Sequence, residues 1–139
     1  SRFGIPTNVY LIGTMNTADR SIALIDHALR RRFYFIDQRP NPELLRSWLE
    51  ANGKETLGWV ADLLETANHR LSQDQIGWHL HVGHTHFMGD PESVDEDRIE
   101  LIWRYAIKPM LDEYFYNRPD KLARYDYDSL KMEVSPMEL

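Results

Sequence analysis

Residues 8–15 read Asn-Val-Tyr-Leu-Ile-Gly-Thr-Met, an apolar run rich in β-branched and aromatic side chains that predicts a strand buried on both faces. Polar residues follow from Asn16. Between Ser21 and Arg32 the apolar positions Ile22, Ile25, Ala28 and Leu29 recur at helical spacing, with Asp19 or Ser21 placed to cap the start. Residues 33–36, Phe-Tyr-Phe-Ile, predict a second strand, with Phe33 turned inward to begin it. Strand, helix and strand within about thirty residues make one crossover unit of a parallel sheet. Two strands do not form a stable sheet unaided.

Beyond the breaker cluster Pro40-Asn41-Pro42 the apolar spacing becomes helical over residues 42–52, 55–73 and 95–116, with a shorter helix at 119–130. Trp59, Leu63, Leu64 and Leu71 form one core stripe, and Ile99, Ile102, Tyr105, Ile107 and Leu111 another. Residues 76–88 break the spacing with His79, Leu80, His81 and Val82 in alternation, then Gly83, and a Gly89-Asp90-Pro91 turn closes them. The expected fold is an α/β remnant, residues 1–39, followed by a mostly α-helical subdomain, residues 40–139, predominantly helical overall. No internal repeat is present.

Composition adds four constraints. A chain of 139 residues with 42% hydrophobic positions can bury a real core, and no run approaches the roughly 18 apolar residues of a membrane span. The opening Ser-Arg-Phe-Gly-Ile-Pro lacks the order of a secretory signal and there is no cysteine, so a cytoplasmic location is expected. Charge is divided: residues 1–39 hold six Arg against three Asp, whereas residues 40–139 hold ten basic and nineteen acidic side chains. The acidic part is a poor nucleic-acid surface, because phosphate neutralisation needs clustered Lys and Arg. Any contact with DNA is expected to lie elsewhere.

The candidate chemistry lies in the first part. In open parallel sheets ligands sit at the carboxyl ends of strands, and Asn16 falls just past such an end. Its amide either caps the following turn or holds an attacking water in line with a γ-phosphate. Arg30, Arg31 and Arg32 end the predicted helix. Cations there answer the helix dipole, at roughly 0.3–1 kcal/mol each, or they present guanidinium forks to a neighbouring subunit's nucleotide. Asp26 reads equally as part of a solvated helix face.

His79, His81, His84 and His86 raise a metal site, against which stands the lack of any cysteine. A phosphate loop needs G-x-x-x-x-G-K-[ST]. The only Gly-Lys pair is Gly53-Lys54, with Trp48 and Glu55 where the first glycine and the hydroxyl belong. No apolar strand ends in Asp-Glu. Ile22–Asp26 and Tyr34–Asp37 come nearest and are followed by His27 and Gln38.

The stretch 8–36, NVYLIGTMNTADRSIALIDHALRRRFYFI, resembles the sensor 1 and arginine-finger region of AAA+ proteins of the McrB group, motors of modification-dependent restriction systems. Gly83–Phe87, GHTHF, and residues 112–116, DEYFY, resemble the lid of that family. The resemblance implies that Asn16 is the sensor 1 amide and that Arg31 and Arg32 carry the finger, acting in trans on developing charge at the next subunit's γ-phosphate. Asp19, Arg20, Asp26 and Arg30 take interface and motif-positioning roles. It implies GTP or ATP with Mg²⁺ as cofactor, a homo-oligomeric ring, a nuclease partner and no membrane association.

In that family the phosphate loop and the Asp-Glu strand lie upstream, so their lack is expected from truncation, and none of these ligands is expected on this chain alone. Arg70 and Arg98 are candidates, by residue type only, for a lid arginine of the sensor 2 kind. The competing expectation is a non-catalytic acidic helical module that docks a partner. A P-loop encoded upstream of Ser1 would decide for the enzyme.

Overall fold

The computed structural model describes residues 4–15 and 31–135. The chain divides into two units, Ser1–Ile36 and Asp37–Leu139.

The second unit is helical throughout. Helix α1 (Pro42–Ala51) begins at the breaker cluster: Asn41 is its N-cap, the Oδ1 accepting the Leu44 N–H at 2.9 Å, and Pro42 fills the first turn. Its end explains Gly53-Lys54. Gly53, at φ 69°, lets the Lys54 N–H return to the Leu49 carbonyl at 2.8 Å, and its own N–H bonds the Glu50 carbonyl at 3.1 Å. That is a Schellman cap, so the pair closes a helix and cradles no phosphate.

A short 3₁₀ turn (Glu55–Leu57) leads into α2 (Trp59–Gln73). Residues 76–88, where His79, Leu80, His81 and Val82 break the helical spacing, hold two 3₁₀ turns, Trp78–Leu80 and His84–Phe87.

Next comes α3 (Glu96–Ile102), capped by Asp95 at the Arg98 N–H at 2.8 Å. It runs through a π-helical turn, Trp103–Ile107, into α4 (Lys108–Tyr114). The single helix expected over 95–116 is thus interrupted in the middle. The cause is Pro109, which has no N–H for the fourth residue back and whose ring would strike that carbonyl; a widened turn accommodates it. Tyr105 consequently leaves the expected stripe and is 76% exposed. The buried stripe is Ile99, Trp103, Ile107 and Leu111. Its interval of four over-runs a 3.6-residue turn, and the wider turn brings these positions back onto one face.

The last predicted helix is split into α5 (Pro119–Leu122), a 3₁₀ turn and α6 (Tyr127–Val134), which is capped by Asp126. All these faces close on one core in which Leu45 and Leu49 of α1, Leu63, Leu64 and Leu71 of α2, Trp103 and Leu130 are essentially inaccessible. Each such leucine contributes about 1.5–3 kcal/mol by leaving water. Trp59 and Ile102 only edge this core.

The first unit departs from expectation. No strand forms among the described residues. Tyr10 and Ile12 are 90% and 94% exposed, and Phe33, expected to face inward, is 45% exposed. A strand exists through the backbone of a partner, and two apolar runs fall short of the three or more a stable sheet requires.

Candidate functional site

Arg31 and Arg32 are the sequence-predicted site residues that fall within the described region. Both lie in a turn immediately before Phe33, and both are exposed. Two adjacent guanidinium groups in that setting can reach an anion outside their own unit. Asn16, Asp19, Arg20, Asp26 and Arg30 lie outside the described residues, as does most of the helix expected over 21–32.

In the helical unit the chemistry gathers on the segment between α2 and α3. Asn68, on the buried side of α2, donates from Nδ2 to the Val82 carbonyl at 2.9 Å and accepts the Val82 N–H on Oδ1 at 2.8 Å. Two points of attachment fix the backbone of the loop and satisfy both of its buried polar groups. His81 places Nε2 at 3.2 Å from the Ile76 carbonyl and 3.3 Å from Ser72 Oγ. Burial lowers its pKa below the ordinary 6.5, helped by the nearby His79 and opposed by the Ile76 carbonyl.

His84 accepts the Asn41 N–H on Nδ1 at 3.1 Å. His79 stands edge-on to Trp78, ring centroids 6.0 Å apart. The histidines therefore turn to separate partners. Among the described residues no group of three or more His, Asp or Glu is arranged to hold a metal ion.

Beside this loop lies an open groove of about 380 Å³, lined in part by Arg39, Asn68, Ser72, Trp78 and His81. The Arg39 guanidinium covers the Trp78 ring at 4.9 Å.

At the C-terminal end of α2, where the loop begins, Asp74 receives the Tyr125 hydroxyl at 2.9 Å, Lys121 Nζ at 3.1 Å and Arg124 at 3.1 Å. Burial pushes this carboxyl up, but the hydrogen bonds from Tyr125 and Lys121 and the charge of Arg124 outweigh it and hold it below its usual range. Arg70, one candidate for a lid arginine, donates to the Arg124 carbonyl and the Glu133 carboxylate in the same network. It braces α2 against α6. Arg98, the other candidate, is exposed on the first turn of α3.

Sequence reasoning missed Asn68, Asp74 and Arg39. For Asn68 a signal existed: it is a polar residue among the apolar positions Leu64, Ala67 and Leu71, all inaccessible. Asp74 and Arg39 act through residues far along the chain, which spacing does not reveal.

Comparison with known proteins places this geometry. Residues 59–123 match the model described as McrB, alpha-helical lid domain. The chain is also 38% identical over 134 residues to the type IV methyl-directed restriction enzyme EcoKMcrB subunit of Escherichia coli (strain K12). The match covers 89% of this chain and 29% of that protein, so the chain spans about three-tenths of the relative's length. No helix among the described residues is long and apolar enough to cross a membrane. Over residues 59–123 the helical part of this chain is thus similar to the McrB alpha-helical lid domain.

Proposed function

We propose that this chain supplies the lid and the trans-acting arginines of an McrB-type AAA+ nucleoside-triphosphatase that assembles as a ring. The observation that carries the reading is the pairing, in one chain, of an exposed Arg31–Arg32 turn with an McrB-type lid domain. Phosphoryl transfer is governed by positioning and charge stabilisation. A guanidinium delivered from the neighbouring subunit meets charge developing on the γ-phosphate oxygens, while Asn16, as sensor 1, orients the attacking water. Asp19, Arg20, Asp26 and Arg30 support these two motifs at the subunit contact.

GTP or ATP with Mg²⁺ would be cradled by residues upstream of Ser1, and residues 8–15 and 33–36 would become strands of the sheet those residues complete. The exposed Tyr10, Ile12 and Tyr34 support that completion, since large apolar surface marks a contact. By likeness to the restriction subunit, a nuclease partner, a cytoplasmic setting and DNA contact through other domains go with the reading.

The test is turnover in the full-length protein. Arg31→Ala or Arg32→Ala should leave nucleotide binding nearly intact and lower turnover by about 10³-fold or more. Full activity in both variants would remove the finger assignment.

A further inference from the structure

The chain divides at Ile36 and Asp37, ahead of its strongest breaker, Pro40-Asn41-Pro42. Two contacts account for this. Arg39 lies over the Trp78 ring at 4.9 Å, within cation–π range. The Asn41 N–H donates to His84 Nδ1 at 3.1 Å, while the Asn41 side chain caps α1. Both receiving rings belong to the loop that Asn68 clamps to α2 through Val82. Pro40, between the two contacts, fixes its own φ near −65° and bars Arg39 from helical backbone. Residues 39–41 are thus tied to α1 on one side and to the loop between α2 and α3 on the other.

We infer that residues 37–41 form a rigid arm of the helical unit, latched by Trp78 and His84, so that the joint between the units lies at Ile36–Asp37. Its mechanical consequence rests on the proposed function: a rotation of the lid is delivered just past the Arg31–Arg32 turn and is not absorbed in a slack connector. The latch needs His84 unprotonated on Nδ1, because that nitrogen is the acceptor.

The chain has no cysteine, so spin labels at Gln38→Cys and Glu50→Cys report the arm against α1 directly. The arm gives one narrow distance, and Trp78→Ala with His84→Ala broadens it by about two-fold or more. Trp78→Phe with His84→Asn, which keeps a ring face and an acceptor oxygen, retains the narrow distance. A broad distribution in the parent, or an equally narrow one in the alanine pair, overturns the arm.

Should the alanine pair fail to fold, hydrogen exchange of the Asn41 amide is read in His84→Ala alone. Exchange about ten-fold faster, with the Leu64 amide unchanged, supports the latch, and an unchanged Asn41 rate overturns it. Neither measurement involves nucleotide, so the arm and the finger can fail separately.

Discussion

The Asn68 side chain satisfies both backbone groups of Val82, at 2.9 and 2.8 Å, with both residues withdrawn from solvent. One amide therefore decides where the loop between α2 and α3 sits, and with it the rings of Trp78 and His84.

Replacing that amide exposes its contribution. Asn68→Ala leaves a buried N–H and a buried C=O without partners, at about 1–3 kcal/mol for each unsatisfied group. Urea unfolding should show a loss of about 2–4 kcal/mol with the slope unchanged. A loss below about 0.5 kcal/mol would mean that the loop holds its place by packing alone.

A second relationship concerns Gln75, at φ 64° in the cap that ends α2. There the Ile76 N–H returns to the Leu71 carbonyl at 2.9 Å and the Gln75 N–H to Ser72 at 3.0 Å. It is the arrangement of Gly53 at the end of α1, occupied by a residue whose Cβ disfavours it. Gln75→Gly should therefore raise stability by up to about 1 kcal/mol, the relief of strain exceeding the added freedom of the unfolded chain. A lower melting temperature would contradict this.

The lowered pKa of His81 fixes the sign of a pH effect. Above about pH 6.5 the ring is neutral in the folded and unfolded chain alike and contributes no slope. As pH falls below that value the unfolded chain takes the proton first, so stability declines until the folded ring also protonates. His81→Gln can still donate to the Ile76 carbonyl but does not titrate. Its unfolding free energy should change less between about pH 7.5 and 5.5 than the parent's. An identical pH dependence would exclude His81 as a source.

What the sequence made legible follows from the range of the interactions involved. The helices around Leu63 and Leu64 were readable because burial imposes a local period, and the Asn41-Pro42 start because capping is local. The break at Trp103–Ile107 was also written locally, in Pro109, yet apolar spacing alone carried the reading past it. Residues 8–15 read as a strand because strand propensity stands for burial that other strands must supply, and no strand forms among the described residues. Arg31 and Arg32 were singled out through their motif and expected to end a helix, whereas they lie in a turn. The Asn68–Val82, Asp74–Tyr125 and Arg39–Trp78 contacts join residues distant in sequence and needed the fold.

The most direct test of the proposed trans finger is a mixing measurement on the full-length protein. An Arg31→Ala, Arg32→Ala variant is combined with a variant lacking the Walker B carboxylates, and turnover of the exchanged rings is compared with each parent. A mixed ring contains interfaces where an intact nucleotide site meets an intact finger, which neither parent forms alone. The account predicts turnover in the mixture at least about ten-fold above either parent, arginine fingers being worth 10³-fold or more. Turnover no higher than the parents', with subunit exchange verified by labelled chains, would contradict it.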